Sequence, residues 1–306
     1  MPELARPICT WRLRTRALEL GRRTQVMGVI NITPDSFSDG GAFLDPQNAV
    51  ARALRLLDEG ADLLDLGAES TQPGSRVGSA VDAEPEPAVS AEEEQARLLP
   101  VLERILSARP QAVVSVDTYK AATARGALAA GAEIINDVSG LKWDAEMAGV
   151  CASAGCGVVL MHTRGRPDEW RTQAQLEPDA LLATVKAGLN ASCDAATKAG
   201  IAPEAIVLDP GYGFGKRFGE NYLLLARQAE LLSLGRPLLA GLSRKSFLGH
   251  TLAPLYGGQT APVDEREAAS IAAMVAAILH GASVVRVHAV RPAVEAARIA
   301  DAVLAG

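Results

Sequence analysis

The sequence has few aromatic residues and no excess of positive charge. Phe, Trp and Tyr make up 4% of its 306 residues, and the formal net charge is −6. Proteins that bind single-stranded nucleic acid need aromatic stacking surfaces and basic grooves, and proteins that bind anionic membranes need basic patches. The composition therefore argues against nucleic acid or a membrane surface as a partner, while a local basic site stays compatible with it.

Cysteine and long apolar runs are also scarce. The four cysteines form no CxxC pair, and no histidine lies near them at zinc-finger spacing. We therefore expect free thiols in a reducing compartment. No apolar run approaches the ~18 residues that a membrane span needs, and residues 1–16 do not follow the signal-peptide pattern. The sequence thus predicts a cytoplasmic protein.

What the sequence does contain is a repeated strand–helix unit. Eight short apolar runs alternate with segments of helical periodicity, and most runs are too apolar for strands with one wet face. This pattern predicts an α/β fold, a (β/α)₈ TIM barrel forming a single domain over residues 1–306, with an open doubly wound sheet as the alternative. A short N-terminal hairpin is expected within 9–20. The predicted strands are 24–31, 61–67, 112–118, 133–138, 157–162, 205–211, 237–243 and 283–289.

One connection is longer than ordinary loops. The segment 72–89 after strand 2 contains three prolines and two glycines, and the segment 249–263 is similar but shorter. Loops longer than about 12–15 residues are uncommon and often functional. We therefore expect a mobile active-site loop after strand 2.

Polar side chains gather where the predicted strands end, which is where TIM barrels place their chemistry. A single Asp at such a position is more often a helix cap, but the whole set favours a functional site. Carboxylates and an amide follow strands 3, 4 and 6, and they suit a ring rich in N–H donors. Basic residues follow strands 7 and 8, the usual phosphate location. The first group is Asp117, Asn136 and Asp209, and the second is Arg244, Lys245, Arg286 and His288.

Two further features bear on ligand chemistry. Asn31 could supply an amide oxygen to Mg²⁺, an ion that takes few protein ligands and keeps several waters. The glycine-rich stretch 211–216 is not a P-loop, because the spacing is one residue short and Arg217 stands where Ser or Thr is required. No HExxH motif supports a zinc protease.

The ordered motifs along the chain resemble those of the dihydropteroate synthase family of folate biosynthesis. The resemblance covers nearly the whole predicted barrel, and its first and seventh motifs are the most specific. The motifs are MGVINITPDSFSDGG (27–41), DLGAESTQPG (65–74), SVDT (115–118), INDVSG (135–140), LMH (160–162), LDPGYGFGK (208–216), GLSRKSFLG (241–249) and RVHAV (286–290).

This resemblance implies a reaction. 6-Hydroxymethyl-7,8-dihydropterin diphosphate condenses with p-aminobenzoate to give 7,8-dihydropteroate and diphosphate, with Mg²⁺ as cofactor. It also implies a target of sulfonamides and a homodimer. By the same resemblance, long mobile loops after strands 1 and 2, over residues 33–41 and 68–90, would close over the site. The helix over 268–279 would suit a dimer interface, or equally an inward-packed helix.

The resemblance also implies roles for individual residues. Asp117, Asp209, Lys245, Arg286 and His288 would be catalytic. The pterin would be held by Asp117, Asn136, Met161, Asp209, Lys245 and Arg286. The diphosphate would be held by Asn31, Thr71, Arg286 and His288, with Asn31 also on the metal, and p-aminobenzoate by Thr71, Pro73, Phe214, Lys245 and Ser246.

The chain departs from the family pattern at Gln72, where the family usually has an arginine that helps to hold diphosphate. Arginine gives a charged bidentate contact that glutamine cannot give. We expect Arg76, in the extended loop, to take its place.

Two other functions share the barrel. A pterin-binding methyltransferase domain would pass a methyl group to a corrinoid, but the SRKS motif and the lack of a cobalamin-binding region argue against it. An inactive pterin-binding barrel is supported only by Gln72.

Overall fold

The computed structural model describes residues 6–32, 46–69, 89–170 and 172–306. Eight parallel strands close into a barrel, in which the strands follow the order of the chain and the last strand pairs with the first. The predicted (β/α)₈ barrel is confirmed, and closure between the first and last barrel strands excludes the open doubly wound sheet. The prediction of a single domain over 1–306 stays a prediction.

All eight predicted strands are present, with trimmed ends. The strand predicted over 205–211 stops at Asp209 because Pro210 has no N–H to continue the ladder. The barrel strands are β3 (Gln25–Asn31), β4 (Leu63–Gly67), β5 (Val114–Asp117), β6 (Ile134–Asp137), β7 (Gly157–Met161), β8 (Ile206–Asp209), β9 (Leu238–Ala240) and β10 (Ala282–Val287).

Helices follow the strands around the outside of the barrel. Ser90 caps the helix over 91–108, because its hydroxyl accepts a hydrogen bond from the Glu93 N–H at 3.1 Å. The helices are α1 (Pro46–Asp58), α2 (Ala91–Ala108), α3 (Ala121–Ala129), α4 (Met147–Ala154), α5 (Pro178–Ala199), α6 (Phe218–Ala226), α7 (Ser246–Thr251), α8 (Glu267–Leu279) and α9 (Val290–Ala305). Among the residues with a described structure, no helix is long and apolar enough to cross a membrane.

The predicted N-terminal hairpin is present and closes the lower end of the barrel. Its antiparallel strands β1 (Cys9–Arg12) and β2 (Ala17–Leu20) carry Trp11 and Leu20, which pack against inward-facing residues of the barrel floor such as Met27 and Leu63. The Trp11 indole N–H donates to the carbonyl oxygen of Ala205 at 2.9 Å. A ligand can therefore reach the barrel interior only from the carboxyl ends of the strands.

The two long loops lie outside the described residues over most of their length. The expectations of loop mobility, of closure over the site, and of roles for Thr71, Pro73 and Arg76 fall on residues 33–45 and 70–88.

Candidate functional site

A cavity opens at the carboxyl ends of the strands, above the apolar barrel floor. The predicted side chains meet there because parallel strands of a barrel end on the same face. Residues that line this cavity are Asp117, Asn136, Val138, Met161, Asp209, Phe214, Gly241, Ser243, Lys245, Arg286 and His288.

A wider groove lies on the outer surface, where it is lined by Arg14, Arg125 and Glu146. The exposed side chains of Arg125 and Glu146 pair with each other across it at 3.1 Å. An active site needs several buried polar groups that point to one place. The cavity at the strand ends contains such groups. We therefore assign the functional site to the cavity.

A network of ion pairs and a hydrogen bond at the base of the cavity joins four strands. Arg286 on β10 donates from Nε to Oδ2 of Asp65 at 2.6 Å and from Nη2 to Oδ2 of Asp117 at 2.7 Å. Asn136 also donates from Nδ2 to Oδ2 of Asp65 at 3.0 Å. Burial alone would lower the pKa of Arg286, but Asp65 and Asp117 raise it above its usual value. The guanidinium is therefore fixed in place as a cation.

Asp65 is a site residue to which the sequence analysis assigned no role. Its side chain is completely buried in β4 and does not line the cavity, yet it orients two residues that do. The sequence could have indicated this role, because Asp65 is a charged residue within an otherwise apolar strand. A fully buried carboxylate is almost always paired with a cation or a hydrogen-bond donor.

Two carboxylates present acceptor oxygens to the cavity. Asp117 Oδ1 has no hydrogen-bond partner within the described ranges, while Asp209 Oδ1 accepts from the Gly211 N–H at 2.7 Å. Burial raises the pKa of Asp117 to about 7, with Asp65 adding to the shift and Arg286 opposing it. Burial also raises the pKa of Asp209. A ring with N–H donors would therefore satisfy acceptors that the protein leaves open.

Lys245 and Phe214 form another wall of the cavity. The Lys245 ammonium lies 4.0 Å from the centre of the Phe214 ring, within the range of a cation–π interaction. Phe214 packs edge-to-face on Trp170 at 5.0 Å between ring centres, and Trp170 donates from Nε1 to the Thr163 hydroxyl at 2.9 Å. Burial lowers the pKa of Lys245 to about 8, against the opposing effect of Asp209.

Lys216 is a second residue that the sequence prediction missed. Its buried ammonium donates to the carbonyl oxygens of Gly211, His162 and Phe214 at 2.7, 3.2 and 3.3 Å. Burial lowers the pKa of Lys216 to about 7, with Asp209 opposing the shift. The ammonium holds the loop that carries Phe214. The feature of the sequence that could have indicated Lys216 is its position directly after the glycine-rich stretch 211–215.

Gly211 allows that loop to approach strand β7. Its φ is +72°, and a Cβ at this position would lie 1.9 Å from the carbonyl oxygen of His162. Only glycine satisfies both constraints.

The expected diphosphate residues are placed unevenly. His288 lies at the cavity rim, where its Nδ1 is 3.0 Å from the Ser243 hydroxyl. Burial lowers the pKa of His288 well below its ordinary value, with Arg244 and Arg286 contributing. Asn31 is half-buried at the end of β3. Thr71 lies outside the described residues.

The expected p-aminobenzoate residues are only partly brought together. Phe214 and Lys245 line the cavity. Ser246 is exposed as the first residue of α7 and does not line it. Thr71 and Pro73 fall in the segment that the structure does not describe.

The donor chemistry for a metal ion is sparse. In the described parts of the chain, no three His, Cys, Asp or Glu side chains are grouped as metal ligands. The Asn31 amide oxygen is a hard donor of the kind that Mg²⁺ accepts, and Mg²⁺ is commonly held by one or two protein ligands together with substrate phosphates. The residues present fit Mg²⁺ only in that mode.

Comparison with known proteins gives concordant results. A family model described as pterin binding enzyme matches residues 27–288. Dihydropteroate synthase of Mycobacterium leprae (strain TN) is 43% identical over 278 residues, covering 91% of this chain and 93% of that protein. Xanthomonas albilineans dihydropteroate synthase with 4-aminobenzoic acid superposes with a TM-score of 0.83 at 39% identity, covering 98% of this chain and 100% of that one. Its complex with 7,8-dihydropteroate gives 0.81 at 38% identity, covering 97% and 99%.

Proposed function

The chain belongs to the pterin-binding enzyme family and, within it, to the dihydropteroate synthases; from this premise we propose how its residues condense 6-hydroxymethyl-7,8-dihydropterin diphosphate with p-aminobenzoate. The observation that carries the proposal is the buried network of Asp65, Asp117, Asn136 and Arg286 at the cavity base. The carboxylate oxygens can accept hydrogen bonds from the N–H groups of a flat ring, and the fixed guanidinium can lie against its face.

In this proposal the pterin ring lies deepest in the cavity. Asp117 and Asp209 accept hydrogen bonds from ring N–H groups, and Lys245 donates to a ring acceptor. Met161, which is buried at the cavity wall, provides an apolar contact. The Arg286 guanidinium, fixed by its two carboxylates, lies against the ring. Asn136 completes the set because Asp65 fixes the orientation of its amide.

The difficult step is the departure of diphosphate. The methylene C–O bond breaks, its electron pair leaves with the diphosphate oxygen, and the p-aminobenzoate nitrogen forms the new C–N bond and then loses a proton to solvent. Arg286 and His288 stabilise the negative charge that develops on the leaving oxygen, and Asn31 and Thr71 contact the phosphates. Mg²⁺, held by Asn31 and the phosphates, would supply further charge neutralisation.

The amine needs no strong base. An aryl amine is already neutral near pH 7, so its nitrogen lone pair is available without proton removal. Phe214, Lys245, Ser246, Thr71 and Pro73 are proposed to position p-aminobenzoate. Catalysis then comes from electrostatics and positioning, with no covalent enzyme intermediate.

The test is diphosphate release by the purified protein with Mg²⁺ and dihydropterin diphosphate. We expect release that requires p-aminobenzoate and is lost in Lys245→Ala. The matched control is Lys198→Ala, since Lys198 is exposed in the last turn of α5. Release at the same rate without p-aminobenzoate would contradict the proposed function.

A homodimer is a further proposal. Apolar side chains are exposed around α6 and the segment after α7, with Phe218 48%, Leu255 78% and Val263 49% exposed. By contrast, Ala273, Met274 and Ala277 of α8 are already buried within the chain, which favours the inward-packed alternative for much of that helix. Sedimentation equilibrium that gives only the monomer mass would reject the dimer.

A cytoplasmic location is likewise proposed, and cell fractionation tests it.

A further inference from the structure

The two cations that line the cavity are largely committed to carboxylates. Arg286 uses Nε and Nη2 for Asp65 and Asp117, and the charges of Asp209 and Asp117 act on Lys245. A diphosphate group brings several negative charges to the same end of the barrel. Other cations are needed to balance that charge as it leaves.

A second group of cations surrounds His288 outside these ion pairs. Arg52 reaches from α1, where its Nη2 donates to the His288 carbonyl oxygen at 3.3 Å. Burial lowers the pKa of Arg52, and the charges of Arg55 and Arg244 lower it further. Arg244 and Arg52 are both among the charges that lower the pKa of His288. Mutual repulsion of partly buried cations is costly unless an anion joins them.

Arg244 is held in an unusual conformation beside this group. Its φ is +61°, a region in which non-glycine residues are uncommon and which is frequent at functional sites. The Arg244 N–H donates to the Ser270 hydroxyl at 2.9 Å, and its carbonyl oxygen accepts from Arg266 at 3.0 Å. The backbone is therefore fixed by two hydrogen bonds.

The Arg244 side chain is anchored much more weakly than its backbone. Its nearest carboxylate oxygens, on Asp264 and Glu267, lie 3.7 and 3.8 Å away. These distances exceed hydrogen-bond length, and Nε of Arg244 has no hydrogen-bond partner in the described structure. The guanidinium is thus held by two long ion pairs without a hydrogen bond to either carboxylate, and its partly exposed end can still donate to an anion.

We infer that Arg52 and Arg244 extend the leaving-group site and bind the terminal phosphate of the diphosphate as it departs past His288. This inference rests on the proposed function. The sequence analysis placed Arg244 among the basic residues at the usual phosphate location without assigning it a contact, and it gave Arg52 no role. In this arrangement Arg286 and His288 stabilise the oxygen that leaves carbon. The outer arginines hold the far end of the same group and stabilise the product state.

The experiment measures binding of inorganic diphosphate by calorimetry in the presence of Mg²⁺. Arg52→Gln and Arg244→Gln are compared with wild type, because glutamine keeps an unbranched stem and a polar end but removes the charge. Arg55→Gln is the matched control, since Arg55 is an exposed arginine on the same helix, 3.6 Å from Glu59. 6-Hydroxymethylpterin, which lacks phosphate, is the control ligand.

We expect each variant to raise the diphosphate Kd about tenfold, the usual worth of a charge-assisted hydrogen bond. Arg52→Lys should recover part of the affinity, and Arg55→Gln should match wild type. Binding of 6-hydroxymethylpterin should not change. Wild-type diphosphate affinity in either glutamine variant would overturn the inference, and so would an equal loss of 6-hydroxymethylpterin binding, which would show a structural role. If the proposed synthase reaction itself is wrong, the activity assay will show it separately, because diphosphate release will then not require p-aminobenzoate.

Discussion

Asp65→Asn tests whether a residue outside the cavity controls the chemistry inside it. Asparagine has nearly the same shape and keeps an oxygen that can accept from Arg286 and Asn136. It removes the negative charge that lies 2.6 Å from the Arg286 guanidinium. The variant therefore separates the charge of Asp65 from its volume.

The expected magnitude follows from the two hydrogen bonds at Asp65 Oδ2. A hydrogen bond to a charged group contributes about 1.5–3 kcal/mol and a neutral one about 0.5–1.5 kcal/mol. With an amide in place of the carboxylate, the hydrogen bond from Arg286 loses its charged acceptor and becomes weaker. We expect this change to remove about 1.5 kcal/mol of transition-state stabilisation. A loss of that size corresponds to about a tenfold decrease in kcat/KM for the dihydropterin substrate.

The pH profile distinguishes positioning from simple destabilisation. The negative charge of Asp65 contributes to the raised pKa of Asp117. Removing that charge lowers the pKa of Asp117, so Asp117 remains ionised to lower pH and the acidic limb of the kcat/KM profile moves in that direction. A variant that was merely less stable would lose activity without moving the limb.

Ser115→Ala is the matched control for this variant. Ser115 lies directly opposite Asp65 on the neighbouring strand, is fully buried, and has a hydroxyl without a hydrogen-bond partner in the described structure. We expect wild-type kinetics from it. An Asp65→Asn enzyme with unchanged kcat/KM and an unmoved acidic limb would refute the reasoning.

Three further predictions concern lysine chemistry and stability. Lys216→Met removes the donor for three carbonyl oxygens under the Phe214 loop, so the KM for p-aminobenzoate should rise about tenfold with little change for the pterin; an equal rise in both would contradict this. The pKa of Lys245 is about 8, so its donating ammonium form is lost as pH rises through that value, and calorimetry should show weaker pterin binding at pH 9 than at pH 7. Arg6→Ala breaks a buried ion pair with Asp301 and should lower the free energy of unfolding by about 3 kcal/mol in urea titrations, with both KM values unchanged; a smaller loss would show that Thr24 holds Asp301 alone.

The barrel was predictable because each of its strands is a separate apolar run followed by a helix. Burial on both faces leaves a strong signal in β3 and β4, where almost every residue is buried. Strand ends were less predictable, because they depend on where the ladder stops. Pro210 shows this for β8.

The site was predictable where its residues face a ligand, and less so where they face each other. Asp117, Asn136, Asp209 and Arg286 stand at strand ends and meet in the cavity, as expected. Lys216 acts through the loop that carries Phe214, and two of its three partners, Gly211 and Phe214, lie within five residues of it. Asp65 acts through Arg286, which is distant in sequence. No local pattern reveals such a pairing. Ser246 has a matching motif position, but its side chain is exposed and does not line the cavity formed by the described residues, so its role stays a prediction.

The contact between Trp170 and Phe214 places an intrinsic fluorophore next to the wall of the cavity. The chain has three tryptophans, and their surroundings differ. Trp11 is sealed into the barrel floor, whereas Trp170 packs edge-to-face on a ring of the cavity wall. A ligand that displaces Phe214 must alter the surroundings of the Trp170 indole and leave those of Trp11 unchanged. Emission from Trp170, and from Trp143 in the same cluster, is therefore expected to change when a ligand fills the cavity, whereas emission from Trp11 is expected to change only on unfolding.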